Sequence, residues 1–269
     1  ILHWAIQVPA AVGNTVVPPR DDFSHTALRW IPEQRTFSTA PLEESRPCRV
    51  GLRPSDLTLV IHDDETEIAS AALVGGSFDD AIDRTTTLLR EHVDPTVGPL
   101  QPRRRDELPA HPVADGAPFT LEDAEAIEAI ARSFANAHGV LEQLRVGAVS
   151  PSEVLCWPHH FDIAVLDTWS APEGDPPLRY VGVGYLDGDP GIEEPYWYVR
   201  PDPGPGKGAS LPDLPSGGVW HREGWTGAIL TVHRLREYAG GDQANGLDAF
   251  LQRAVTASRE IAGTAASSP

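Results

Sequence analysis

The sequence predicts an α+β fold, in which mostly antiparallel sheets are packed by helices. Strand-like runs follow one another between residues 24 and 74, and again between residues 154 and 232. Helical patterns lie before and after each group of strands, without the regular strand–helix–strand alternation that a parallel sheet requires. Each half therefore has the order helix, strands, helix, and we consider two pseudo-repeats of that order.

The first half opens with a helical pattern over residues 1–13, which Pro9 is expected to bend or end. The polar segment 62–65 predicts a hairpin turn, and Ser77 predicts the N-cap of a helix over residues 78–92. Strands are predicted at residues 24–31, 35–40, 48–53, 57–61 and 67–74.

The second half begins with a predicted helix over residues 120–145, whose apolar residues recur every three or four positions. A last amphipathic helix is predicted over residues 245–262. Residues 201–218 contain five prolines and five glycines, which predicts a long irregular loop. Strands are predicted at residues 154–169, 179–186, 195–200 and 226–232.

The length of 269 residues suits one large domain or two small ones. Residues 94–118 contain six prolines and no hydrophobic periodicity. We therefore expect an N-terminal lobe over residues 1–93, a proline-rich connection over 94–118 and a C-terminal lobe over 119–269, packed as one compact unit.

The charge balance argues against nucleic acid and membranes as partners. The net charge is −18, with 39 acidic side chains against 21 from Lys and Arg, whereas phosphate binding needs a clustered basic surface. No apolar run approaches the roughly 20 residues that span a bilayer. No nucleotide cofactor is expected, because the Gly-rich segments 182–184 and 204–208 do not lie between a strand and a helix N-terminus.

Two cysteines, Cys48 and Cys156, are too few for a disulfide framework or a four-thiolate zinc site. The first residues show neither a positively charged leader nor a small-residue cleavage pattern. We therefore expect a cytoplasmic protein with reduced thiols, and a single bridge between the two cysteines is the alternative.

Short segments in the same order along the chain resemble a bacterial family known only as a domain of unknown function. They are Leu2-His3-x-x-x-Gln7, Pro18-Pro19, Ser24-His25, Phe161-Asp162-Ile163-Ala164-Val165, Glu194-Pro195-Tyr196-Trp197-Tyr198 and Ala249-Phe250-Leu251-Gln252. The chain departs from the family at His159 and His160, where family members carry Gly-Ser. The resemblance implies the layout of the fold and brings no settled activity, so it gives these histidines no metal role.

Two segments of the second half combine histidines with carboxylates. Side chains two residues apart on a strand share a face, so we expect His160 to pair with Asp162, and His221 with Glu223. If the two strands are neighbours, the four side chains converge into a ligand set that suits Zn, Fe or Mn. Glu194, a carboxylate outside this set, is then the candidate general base.

Aromatic residues predict a small-molecule pocket in the same half, because five of the seven tryptophans lie there, interleaved with His and carboxylates. Large aromatics that fill a core are the alternative interpretation. We expect loop 201–218 to act as a flap beside the pocket. The candidate pocket residues are His25, Trp157, His159, Trp197, Trp220 and Trp225.

Two functional hypotheses remain open from the sequence. The first is a small-molecule pocket that belongs to a metal-dependent enzyme of hydrolase or lyase type, whose divalent metal polarises a substrate oxygen. The alternative is a non-catalytic binding module for a small apolar or aromatic ligand. Geometry distinguishes them, because the second hypothesis needs an open cavity and no metal.

Overall fold

The structure, a computed structural model, describes residues 1–43, 47–170, 178–206 and 208–264. Its fold is α+β, as predicted, with antiparallel sheets and helices. Among these described residues, no helix combines the length and the apolar character needed to cross a membrane.

The chain divides into two compact units. The first comprises residues 1–136 and 155–161, and the second comprises 137–154 together with the chain from residue 162 onward. The division falls inside a helix of the fold, and the proline-rich segment 94–118, which was expected to connect two lobes, lies within the first unit.

A five-stranded antiparallel sheet forms the centre of the first unit, with its strands in chain order. The strands are β1 (Arg29–Ile31), β2 (Thr36–Ser38), β3 (Cys48–Arg53), β4 (Thr58–Asp63) and β5 (Thr66–Ala72). The helices of the unit are α1 (Leu2–Ala5), α2 (Gln7–Val16), α3 (Phe78–His92) and the first turns of α4 (Ala124–Arg145).

Local chemistry explains two predictions that the structure confirms. The hairpin between β4 and β5 turns at Asp64, whose φ of 57° is a left-handed conformation that Asp tolerates. Ser77 caps α3 by a capping box: its hydroxyl accepts the N–H of Asp80, and the Asp80 carboxylate accepts the N–H of Ser77. The predicted bounds of α3, residues 78–92, are those observed.

The opening helix differs from the prediction. Pro9 does not bend or end the helix at its own position, because it lies in the first turn of α2, where a missing N–H leaves no intrahelical bond unmade. The break instead falls between α1 and α2, at Ala5 and Ile6, where the proline ring would meet the carbonyl four residues before it.

The predicted strand over 24–31 is also wrong in its first part. Ser24–Thr26 form a 3₁₀ turn, in which the Asp22 carboxylate accepts the N–H of Ser24. A short polar side chain of this kind competes with strand pairing for the backbone. Only β1 remains of the predicted strand, and Leu28 makes an isolated bridge to Cys156 in β6 (Leu155–Trp157) of the same unit.

The strands of the second unit pair in the order β10-β11-β9-β8-β7, all antiparallel. They are β7 (Asp162–Ser170), β8 (Leu178–Leu186), β9 (Tyr196–Asp202), β10 (Val219–His221) and β11 (Gly227–Thr231). Between β9 and β10, residues 203–206 and 208–218 form an irregular loop as predicted, whereas residues 201 and 202 of the predicted loop belong to β9.

Two helices complete the second unit, α5 (Val232–Ala239) and α6 (Gln243–Thr264). The helix predicted over residues 245–262 agrees with α6 within two residues. α5 was not predicted; it follows β11 directly, and the Thr231 hydroxyl caps it by accepting the N–H of Arg234. α6 packs over β8, β9 and β11. The face that it covers includes Val165 and Asp167 of β7, which pair in register with Val183 and Val181 of β8.

Candidate ligand-binding site

A groove of about 540 Å³ lies in the second unit, lined by α6, the C-terminal part of α4 and two strands. Ligand pockets of globular proteins have volumes of about 300–1,000 Å³. The groove's apolar lining consists of Val140 and Leu144 on α4, Val165, Val181 and Val183 on the sheet, and Leu247, Leu251 and Val255 on α6. It is therefore large enough, and apolar enough, for a small molecule.

The groove is elongated. Its lining residues on α6 recur every three or four positions from Ala244 to Arg259, so they form one stripe that follows the helix axis over roughly 22 Å. In the segment after α4, Gly147 and Ala148 line the groove, and the neighbouring Val146 and Val149 are large apolar side chains that are exposed to solvent.

A buried carboxylate interrupts the apolar floor. Asp167 is only 6 % exposed, and one of its oxygens accepts the backbone N–H groups of Val149 at 3.0 Å and Ser150 at 2.8 Å. Its other oxygen accepts a hydrogen bond from the Arg259 guanidinium. Buried charges persist where they are paired and hydrogen-bonded in this way, so Asp167 anchors both the segment after α4 and the C-terminal part of α6.

Two guanidinium groups line the groove. Arg145 Nη1 donates to Glu142 Oε2 at 2.6 Å, and the side chains of Arg145 and Arg259 are 29 % and 35 % exposed. In both residues Nε is buried and has no hydrogen-bond partner among the described residues. An apolar groove with partly satisfied guanidiniums suits a ligand that has an apolar body and a hydrogen-bond-accepting end.

The structure places residues 158–161 in a turn and not in a strand. β6 ends at Trp157 and β7 begins at Asp162, and the N–H groups of His160 and Phe161 donate to the carbonyl of Trp157. The argument that His160 and Asp162 share a strand face is therefore wrong, because alternation holds only within a strand. His160 is exposed and belongs to the first unit, whereas Asp162 belongs to the second.

The opening helices hold this turn in place. Gln7 Nε2 donates to the carbonyl of Pro158 at 2.7 Å, and His3 Nε2 lies 2.9 Å from the same oxygen. The His3 ring stacks on Phe161, with 5.3 Å between ring centroids. His3 and Gln7, two residues on which the family resemblance depends, therefore position the turn that carries His159.

Three of the candidate pocket residues, His25, Trp157 and His159, lie in the first unit. His159 lines a cavity of about 270 Å³ together with Gln7, Asn14 and Arg103. His25 is buried, and its Nδ1 accepts the backbone N–H of Arg20 at 3.1 Å. His25 thus stabilises the turn that precedes β1.

His159 is held as a neutral imidazole. Burial lowers its pKa to about 4, and the nearby charges of His160, Arg103 and His3 act in the same direction. The ring centroids of His159 and His160 are 4.1 Å apart. At neutral pH His159 therefore carries no charge.

The stability of the first unit should fall on acidification because of His159. Its pKa is about 4 in the folded chain and about 6.5 in the unfolded one, so the unfolded state binds more protons between these values. The stabilisation is complete above pH 6.5 and is lost as the pH falls toward 4. Between pH 7.5 and pH 4.5, we expect the melting temperature, measured by circular dichroism, to fall less in His159→Gln than in the wild type.

The matched control for this prediction is His233→Gln, because His233 is exposed on α5. Its acid-induced change in melting temperature should equal that of the wild type. A His159 pKa near 6.5, measured by NMR titration, would contradict the prediction.

The other face of the second unit's sheet contains a cluster of polar aromatic residues. The Tyr198 hydroxyl donates to Asp162 at 2.6 Å, and the Tyr196 hydroxyl donates to Asp189 at 2.6 Å. Burial, followed by the Asp162 carboxylate, raises the pKa of Tyr198 well above its usual value. Both tyrosines are thus neutral donors that fix these carboxylates.

His221 and Trp225 belong to this cluster, with 4.8 Å between their ring centroids. His221 Nε2 hydrogen-bonds the backbone carbonyl of Glu223 at 2.7 Å. Glu223 lies after the end of β10 and is exposed, so the argument from a shared strand face does not hold for this pair.

The remaining candidate site residues lie outside the cluster of Tyr198, His221 and Trp225. Trp197 is buried beside Tyr185 on the face that α6 covers. The Trp220 Nε1–H donates to the backbone carbonyl of Pro212, in the preceding loop, at 2.8 Å. Trp157 is half-buried at the end of β6 in the first unit. Glu194 accepts the N–H of His233 at 3.3 Å, near the start of α5.

No cluster of three or more His, Cys, Asp or Glu side chains in the described part of the chain is arranged to hold a metal ion. The ligand set His160, Asp162, His221 and Glu223 stays a prediction, and so does the role of Glu194. Comparisons of the chain with family models, with curated proteins and with solved structures give no match. The resemblance to the uncharacterised bacterial family likewise stays a prediction.

The sequence analysis does not identify Asp167, Arg145 or Arg259. One sequence signal points to Asp167: in β7 (Asp162–Ser170), alternation places it on the same face as Ile163 and Val165. A carboxylate on an apolar face needs a buried partner. Nothing in the local sequence indicates that this partner is Arg259, 92 residues later.

Proposed function

We propose that the protein binds a small, elongated, largely apolar molecule in the groove of its second unit. The observation that supports this most directly is the groove itself: about 540 Å³, lined by apolar side chains from α4, α6 and the sheet, with charged groups at Arg145, Asp167, Asp248 and Arg259 and further polar groups at Gln143, Gln252 and Thr256. Pockets for small ligands combine these two features.

This proposal corresponds to the non-catalytic binding hypothesis, moved to a different place in the fold. The apolar part of the walls is aliphatic and not aromatic, because the large apolar residues that line the groove are all Leu or Val. Apolar burial of a ligand is favourable by about 25 cal/mol per Å². Such a groove therefore favours an aliphatic chain or ring system.

Binding can be tested with N-phenyl-1-naphthylamine, a neutral dye whose emission rises in apolar surroundings. We expect saturable binding, and Leu144→Trp should raise the dissociation constant at least tenfold, which corresponds to about 1.4 kcal/mol. Leu144 is half-buried on the groove wall, so a larger side chain there occupies space that the dye needs.

Val146→Trp is the matched control, because it adds the same side chain two residues away at a position that is 89 % exposed and outside the groove lining. Its affinity for the dye should stay within twofold of the wild type. Equal affinities for the two variants, with both folded by circular dichroism, would contradict the proposed site.

A further inference from the structure

We infer that the ligand of this groove is an aliphatic carboxylate whose carboxylate group is bound by Arg145 and Arg259. The inference rests on the proposed function and names the chemical class of the ligand. Its basis is that two arginine donors at the groove have no acceptor among the described residues, whereas the carboxylates there already accept hydrogen bonds.

The donors of the two guanidiniums are incompletely used. A guanidinium offers five N–H donors, and Arg145 directs Nη1 to Glu142 while Arg259 directs Nη2 to Asp167. The Nε atoms of both are buried without a partner among the described residues. A buried donor that is left unsatisfied destabilises the folded chain, and a charged donor does so more strongly. The side chains of Arg145 and Arg259 are partly exposed, so a small rotation can turn Nε toward the groove. A ligand oxygen that accepts from Nε would then satisfy the buried donor.

The carboxylate acceptors around the groove, in contrast, already have hydrogen-bond donors. Asp167 already accepts two backbone N–H groups and the Arg259 guanidinium. Glu142 accepts from Arg145, and the exposed Asp248 accepts from Gln252 at 2.8 Å. Because each carboxylate near the groove has a donor, the site favours a ligand that brings acceptors over one that brings an ammonium group.

The two guanidiniums are connected through the same anchor. Arg145 precedes by four residues Val149, whose N–H donates to Asp167, and Asp167 holds Arg259. Arg259 is also the last α6 residue of the groove's stripe, whose other members include Leu247, Leu251 and Val255. An extended chain would therefore place its anionic end at Arg259 and its apolar body along α6 toward Ala244.

A carboxylate matches a guanidinium edge with two parallel N–H···O bonds, which are stronger than bonds between neutral groups. An alcohol offers one acceptor and no charge, and an amine at neutral pH offers only donors. A comparison of a carboxylate, an alcohol and an amine with the same alkyl chain therefore separates the contribution of the arginines to binding affinity from that of the apolar groove.

The experiment is displacement of N-phenyl-1-naphthylamine from the full chain at pH 8 by decanoate, decanol, decylamine and decyl phosphate. We expect decanoate to displace the dye at concentrations at least tenfold lower than decanol, and decylamine to be the weakest. Arg145→Gln should raise the inhibition constant of decanoate at least tenfold and that of decanol less than twofold. Arg259→Lys, which keeps a positive charge beside Asp167, should weaken decanoate selectively as well.

The outcomes separate the inference from the proposed function. Equal displacement by decanoate and decanol overturns the carboxylate assignment and leaves the apolar site in place. Decyl phosphate that binds tenfold more tightly than decanoate overturns it in favour of a phosphate head group. Failure of the dye to bind folded wild-type protein overturns the proposed function, and the inference with it.

Discussion

Replacement of Asp167 by alanine is expected to lower the free energy of unfolding by about 3 kcal/mol. The substitution leaves the backbone N–H groups of Val149 and Ser150 without their acceptor and removes the carboxylate partner of Arg259. Asp167 is buried, so water does not replace these bonds. Equilibrium unfolding in urea, followed by circular dichroism, gives the measurement.

Two companion variants identify the cause. Asp167→Asn keeps one oxygen acceptor at the same place and should lose less stability than Asp167→Ala. Asp248→Ala removes an exposed carboxylate from the same groove and should stay within about 0.5 kcal/mol of the wild type. A loss as large for Asp248→Ala as for Asp167→Ala would show that charge in the groove, and not the buried anchor, determines stability.

The sequence predicts the elements that depend on local patterns. α3 has its capping Ser77 and an apolar stripe, and α6 has a long stripe of Leu and Val, so both are found within two residues. β4 is a short apolar and β-branched run, and the polar residues that follow it predict the hairpin to β5. These signals lie within a few residues of one another, which is why a single sequence is enough to predict them.

Turns were the main source of error at the candidate site. The interpretation of His159 and His160 assumed a strand that continues through residue 162, whereas Phe161 has a φ of 55° and closes a turn. A bulky residue in this conformation is uncommon, and the structure tolerates it because Phe161 packs against His3 and Phe134. The packing partners are more than 25 residues away in sequence, so local propensity does not reveal them.

The groove could not be predicted for a related reason. Its walls come from α4, β7, β8 and α6, and its anchor joins Asp167 to Arg259. Each side chain alone is typical of an amphipathic element, and only their placement makes a cavity. The aromatic residues gave a stronger signal, but Trp197 and Trp225 belong to different faces of one sheet, so they do not line one pocket.

Replacement of Phe134 by alanine is expected to lower the free energy of unfolding by about 3–5 kcal/mol. Phe134 is fully buried in the first unit. Its ring stacks on Phe161 at 4.8 Å and packs edge-on against Phe37 at 5.4 Å. Removal of the ring therefore leaves a cavity between two rings that are held by β2 and by the turn before β7.

Phe23→Ala is the matched control, because Phe23 is 67 % exposed, and it should change the free energy of unfolding by less than about 0.5 kcal/mol. Phe134→Leu should fall between the two, since it refills part of the cavity. A second readout tests the link to the turn. Because Phe161 closes the turn that holds His159 among buried neighbours, the loss of Phe134 should raise the His159 pKa from about 4 toward its ordinary value. An NMR titration that gives the same His159 pKa in Phe134→Ala and in the wild type would show that the opening helices, through His3 and Gln7, hold the turn without the aromatic stack.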